Sequence, residues 1–342
     1  MLNFECDYMK GACPAVLQRL IETNMDETLG YGADPYCRSA IERIRAACGC
    51  PEARIYFLTG GTQVNATAMY AVLRHCQGVI SPVTGHINHH ESGAVEATGH
   101  KVIALPGHDG GKLKAEDVER YLRDYWADEN YAHIVEPGMV YITHPTELGA
   151  LYTMDELKAL SSICRSYRIP LYLDGARLAY ALASDKTDIT LQDIASLCDI
   201  FYIGGTKCGA LFGEALVIPR PELTGELFSI IKQRGAMLAK GRLLGLQFDT
   251  LFTDGLYARN GLNAIETADL LAKGIKDKGY SFLIPPQTNQ LFVIMENDRI
   301  EALRREVSFS MWEHVDADRS AIRLVTDWAT SKTDIEALLA LL

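Results

Sequence analysis

Lys207 stands in a glycine-rich turn, Ile203-Gly204-Gly205-Thr206-Lys207-Cys208-Gly209, directly after an apolar run. Lysines on protein surfaces favour helices, so this placement is unusual. Glycines around the side chain would admit a flat group, and desolvation beside cationic groups would lower the amine's pKa and make it nucleophilic. A solvated lysine in a surface turn is the alternative for this peptide taken alone. Upstream, Leu171-Tyr172-Leu173 runs into Asp174-Gly175-Ala176-Arg177. A carboxylate just past a strand projects into the crevice at a sheet edge, where it could keep a pyridine nitrogen protonated. It could also do no more than cap the helix that follows.

Thr59-Gly60-Gly61-Thr62-Gln63 lies between an apolar strand and a helical stretch, Val64–Leu73. Glycines let backbone approach an anion, and a helix N-terminus offers free N–H groups, although many ordinary turns share this composition. Histidines gather in His86-Ile87-Asn88-His89-His90-Glu91 and in Thr143-His144-Pro145-Thr146-Glu147. Their spacing fits no zinc pattern, so no metal is expected. A lone histidine is commonly structural, whereas two at strand ends in one crevice suit a general base or ring stacking. G-x-S-x-G, Walker A and G-x-G-x-x-G motifs are absent, which argues against lipase-type, P-loop and Rossmann chemistry. An anion site, a carboxylate, a lysine and imidazoles, each after a separate strand, are the parts that hold pyridoxal 5′-phosphate (PLP) on Lys207.

The elements that must position these groups alternate. Ile55–Leu58, Val79-Ile80, Lys101–Leu105, Met139–Ile142, Leu171–Leu173, Ile200–Ile203 and Ala215–Ile218 read as buried strands. Helical patterns fall between them, at 115–126 and at 154–167, where Thr153-Met154-Asp155-Glu156 has capping-box spacing. This alternation predicts an α/β fold, a mostly parallel sheet with helices on both faces. One long helical region is expected over about 223–278, then a small α+β domain with strands 291–294 and 322–325 and helices at 299–306 and from 333. The expected division is a large domain over 1–245, with an N-terminal arm of about 1–15, and a small one over 246–342.

The chain has 342 residues, 48% hydrophobic and 23% charged, and a net charge of −11, so a basic nucleic-acid face is not expected. No apolar run approaches membrane-spanning length, and Met1–Asp7 lacks the basic and apolar regions of a signal peptide. Nine scattered cysteines suit reduced thiols, and a cytoplasmic location is expected.

The glycine turn 59–63, Gly85–Glu91, Thr143-His144, Asp174–Arg177 and Gly204–Lys207 together resemble the low-specificity L-threonine aldolases. These belong to the aromatic amino-acid β-eliminating lyase/threonine aldolase group of fold-type I PLP enzymes. Tyr31-Gly32-Ala33-Asp34-Pro35 and Ile322-Arg323-Leu324-Val325-Thr326 extend the likeness over nearly the whole chain, in the family order.

The resemblance implies that Lys207 forms the Schiff base with PLP and that Asp174 pairs with its pyridine nitrogen. Gly60, Gly61, Thr62 and Thr206 would border the cofactor, with Lys232 reaching the phosphate from a neighbouring subunit. His86 would stack on the ring. Arg177 would contact the ring hydroxyl or the substrate carboxylate, and Arg323 would clamp that carboxylate. The implied reaction is retro-aldol cleavage of L-threonine or L-allo-threonine to glycine and acetaldehyde, with His86 or His144, then His89, or a bound water as base. The implied assembly is a homodimer or homotetramer with shared sites. The sequence departs from the family at Cys6-Asp7, where a Ser-Asp pair helps bind the carboxylate. Further departures are Thr206, where serine is frequent, and Pro145-Thr146-Glu147, which replaces an Asn-rich stretch. A β-eliminating lyase or a phenylserine aldolase would use the same Lys207 and Asp174.

Overall fold

The structure is a computed structural model describing residues 1–342. A short strand, β1 (Leu2–Asn3), opens the chain. Seven strands follow: β2 (Arg54–Leu58), β3 (Gln77–Pro82), β4 (Val102–Leu105), β5 (Glu136–Thr143), β6 (Leu171–Asp174), β7 (Ile200–Gly204) and β8 (Glu214–Ile218). They form one sheet in the order β2-β8-β7-β6-β5-β3-β4. All pairings are parallel except those of β8, which is antiparallel to both β7 and β2. Strands β2 and β7 therefore point the same way. The carboxyl ends of β2, β3, β5, β6 and β7 and the start of β8 share one sheet edge.

Near-continuous apolar strands are required because both faces of the sheet are buried. Alternate residues face opposite layers. Val79, Met139, Tyr141, Tyr172, Tyr202 and Leu216 pack into one core cluster. Ile80, Val140, Ile142, Leu173, Phe201 and Val217 pack into the other. The helix Met154–Tyr167 begins as its sequence predicts, with Thr153 and Glu156 forming the reciprocal capping box.

The stretch 223–278, expected as one helical region, is three helices: Leu227–Gln233, Arg242–Leu251 and Leu256–Asp277. Gly235 and Gly255, both at φ +70°, break it, because a left-handed residue ends α-helical hydrogen bonding. The carboxyl-terminal part adds β9 (Ser281–Phe282), β10 (Gln290–Glu296), β11 (Val307–Ser308), β12 (Ser310–His314) and β13 (Arg319–Val325). Its four-stranded sheet has the order β12-β13-β10-β9. Strand β1 pairs with β11, and Phe4 packs into the hydrophobic cluster of this region. The amino-terminal arm is thereby anchored, and it carries Asp7 and Tyr8 towards the edge of the large sheet. No helix is long and apolar enough to cross a membrane.

Candidate active site

A cavity of about 270 Å³ opens at the shared strand edge. Apart from Tyr8 on the amino-terminal arm, the bordering segments enter from different strand ends: 59–62 after β2, His86 after β3, Thr143 and Glu147 from β5 and its turn. Asp174, Ala176 and Arg177 enter from β6, Thr206 and Lys207 after β7, and Glu214 from the start of β8. Register explains the convergence. Thr143 pairs with Asp174 across β5 and β6, and Glu214 sits opposite both Gly204 and Leu58.

Lys207 is the only lysine lining the cavity, and its Nζ lies 5.9 Å from the centre of the Tyr8 ring. Burial, reinforced by the Arg177 guanidinium, pulls its pKa below the usual lysine value. That raises the fraction of neutral, nucleophilic amine. The glycines beside it do a different job from the one their composition suggests. A Cβ on Gly204 would lie 2.2 Å from the Ala176 carbonyl oxygen. Gly204 is therefore glycine so that β7 can approach the turn after β6, rather than to make room for a ligand.

Asp174 is buried behind the cavity and accepts three hydrogen bonds. Tyr141 Oη donates at 2.7 Å, Asn65 Nδ2 at 3.1 Å and the Ala176 amide at 3.0 Å. Tyr172 Oη fixes Asn65 by donating to its Oδ1 at 2.7 Å. The large tyrosines of the sheet are thus core residues whose hydroxyls reach the polar edge. Asn65 also donates to Glu91 Oε1 at 2.7 Å, and the same oxygen meets His86 Nδ1 at 2.7 Å. On the other side, Thr143 Oγ1 donates to Glu147 Oε1 at 2.7 Å, and Tyr141 Oη lies 3.3 Å from the same hydroxyl oxygen. The His86 amide donates to that same Glu147 oxygen at 2.7 Å. The contacts come round to Tyr141 through Thr143, so His86 and Asp174 are held by one ring of polar contacts.

The helix Gly61–Val72 starts at the cavity, and no side chain caps it. A Cβ on Gly60 would meet nothing within 4 Å, so the approach to the first amides is open. Free amides at a helix N-terminus are the arrangement that suits an anion.

The other sequence candidates divide. Arg177 borders the cavity and makes a paired contact with Asp7, Nε to Oδ2 at 2.7 Å and Nη2 to Oδ1 at 3.0 Å. Arg323 lies outside the cavity lining. Its contacts to Gln290, Glu5 and Ser310 are long, 3.2–3.4 Å, and its Nε has no partner. Cys6 is buried on the arm next to Asp7 and Tyr8. Lys232 is exposed, its Nζ 3.9 Å from the centre of the Tyr31 ring. His144 is buried outside the cavity lining. Its Nδ1 accepts from the Tyr152 amide at 3.3 Å, and burial pushes its pKa down to about 4. His89 is exposed and packs on His90.

Sequence reading missed Asn65, Tyr141, Thr143 and Glu214 as site residues. Two carried a signal. Asn65 is polar between Val64 and Ala66 on a buried helix face, and Glu214 is a charge opening an apolar strand.

Glu214 accepts from the Gly205 amide at 2.9 Å, and burial pushes its pKa from 4.5 up to about 7. The folded protein therefore holds this proton to a higher pH than the unfolded chain. Between roughly pH 4.3 and 7 this group makes stability fall as pH rises, by at most about 1.4 kcal/mol per pH unit. Urea unfolding of the cofactor-free protein from pH 5 to 8 checks it: Glu214→Gln should lose less stability across that range than the wild type. Equal slopes would remove the assignment.

The family described as beta-eliminating lyase matches residues 3–298. A low specificity L-threonine aldolase of Pseudomonas aeruginosa is 30% identical over 88% of this chain and 86% of its own length. The solved structure of Leishmania major threonine aldolase superposes with a TM-score of 0.96 at 40% identity, covering 100% of this chain and 98% of that one. Aspartate aminotransferase from Thermus thermophilus, 17% identical, shares the fold with a TM-score of 0.72 over 100% of this chain and 90% of its own.

Proposed function

The chain belongs to the beta-eliminating lyase family, and from that premise we propose that it is a PLP-dependent aldolase cleaving L-threonine or L-allo-threonine to glycine and acetaldehyde. Its fold is that of the fold-type I PLP enzymes, α/β with a mostly parallel seven-stranded sheet. The observation that carries the reading is Lys207, the one lysine lining a cavity that also presents a buried, hydrogen-bonded Asp174 and an uncapped helix end.

The residues present fit the cofactor. Lys207 would bond its aldehyde, Asp174 would face its pyridine nitrogen, and the first amides of helix Gly61–Val72, with Thr62, would hold its phosphate. When bound, PLP supplies an aldehyde for amines and a ring that takes up the electron pair released from Cα–Cβ. The protein does the rest. Asn65 and Tyr141 fix the Asp174 carboxyl by hydrogen bonds, so its position is set before any ligand arrives. Glu91 orients His86 through Nδ1, which leaves Nε2 for a proton and the ring face for stacking. Arg323, with donors only weakly engaged, would bind the substrate carboxylate, and Arg177, already committed to Asp7, would border it.

The same proposal divides the chain near residue 245 and makes it cytoplasmic and a homodimer or homotetramer. Supporting the assembly, Ile21, Met25, Leu29 and Phe228 are exposed apolar side chains, with Tyr31 and Lys232 paired in contact. Incubation of the PLP-loaded protein with L-threonine should yield glycine and acetaldehyde in equal amounts. Pyruvate and ammonia as the products of a panel of amino acids, with no aldehyde, would replace this reading with β-elimination.

A further inference from the structure

Glu147 lies in the turn after β5, 8% exposed, and lines the same cavity as Lys207. Its two oxygens differ sharply. Oε1 is saturated by the His86 amide and Thr143 Oγ1, each at 2.7 Å. Oε2 is buried and has no partner at all. Charged and titratable groups border the same cavity: His86 after β3, Asp174 and Arg177 on β6 and its turn, Lys207 after β7 and Glu214 on β8, with Tyr141 on β5 bonded to Asp174. None of them donates to Oε2. Leaving a buried acceptor bare costs on the order of 1–3 kcal/mol, so the missing donor is expected to arrive with a ligand. Burial, with the Asp174 charge adding to it, raises the Glu147 pKa above the ordinary carboxyl range and makes it a better proton acceptor.

We propose that Glu147 is a ligand-binding carboxyl whose Oε2 accepts a hydrogen bond from a hydroxyl group of the molecule held in the cavity. The inference rests on the PLP reading above, under which two hydroxyls qualify: the ring hydroxyl of the cofactor and the β-hydroxyl of the amino acid. His144, one of the sequence candidates for receiving the substrate proton beside His86, is turned towards the Tyr152 amide and does not line the cavity. Glu147 occupies the neighbouring turn and does.

The test uses PLP-loaded Glu147→Gln. Its amide oxygen keeps the bonds from His86 and Thr143, while the bare position becomes an NH2 that cannot accept. Two readouts separate the two hydroxyls. If the ring hydroxyl is the partner, the pH midpoint of the bound cofactor's visible absorbance moves by about one unit. If the β-hydroxyl is the partner, that midpoint stays. Threonine kcat then falls on the order of 10²–10⁴-fold, while spectroscopic binding of glycine, which has no hydroxyl, is unchanged. Either result supports the proposal; an unchanged midpoint together with unchanged kcat overturns it. Should the glutamine variant fail to fold, Glu147→Asp, which withdraws the carboxyl from the cavity, is read in the same two ways. A wild-type protein that takes up no PLP would instead overturn the underlying reading, and that is visible before the variants are compared.

Discussion

Replacing Lys207 with alanine should leave a folded protein that binds PLP only reversibly and turns threonine over on the order of 10²–10⁴-fold more slowly. Folding survives because the lysine backbone, not its amine, is built into the structure: Tyr180 Oη donates to the Lys207 carbonyl. The amine itself makes no hydrogen bond, and its contact with the half-exposed Tyr8 ring is a cation–π approach at 5.9 Å, worth about 0.5–1 kcal/mol. No second lysine lines the cavity to take its place. Circular dichroism, retention of cofactor on dialysis and glycine release together check the prediction. Retained covalent cofactor with undiminished turnover would refute it.

Asp174 should show an effect of similar size through a different mechanism. Asp174→Asn keeps the shape but removes the charge that would face a pyridine nitrogen. Losing one partner of a buried charge pair costs about 3–5 kcal/mol, which corresponds to roughly 10²–10⁴-fold in turnover. Asp174→Ala adds a penalty in stability, because Asn65, Tyr141 and the Ala176 amide all lose their acceptor inside the core. Each such donor costs about 1–3 kcal/mol. The expected pattern is therefore a stable but slow asparagine variant and an unstable alanine variant, read by urea unfolding beside the product assay. An asparagine variant as fast as the wild type would show that the charge has no part in the reaction.

The strands were legible because burial on both faces forces runs of apolar residues, and seven such runs became β2 to β8. Lys207 and Asp174 were legible only together: each alone has an ordinary structural alternative, and their order after separate strands, beside the glycine turn and the histidines, pointed to one crevice. The ring that holds Asp174 was not. Asn65, Tyr141, Tyr172 and Glu91 come from four separate segments, and only strand order and register bring their polar tips together. The histidines illustrate the same limit. His86 and His144 look equivalent in sequence, each just past a strand. Yet one stands in the cavity and the other is turned into the core, since side-chain direction in a turn depends on local backbone that composition does not encode. The helical region after residue 222 was over-extended for a related reason. Gly235 and Gly255 adopt left-handed φ, whereas other glycines within helices do not.

The central claim is that Lys207 carries the cofactor. Borohydride reduction of the yellow PLP-loaded protein, followed by peptide mapping with mass spectrometry, tests it without relying on turnover. The account predicts bleaching of the visible absorbance and a single pyridoxyl modification on the peptide bearing Lys207. A modification on another lysine, or cofactor that washes away unreduced, would contradict it.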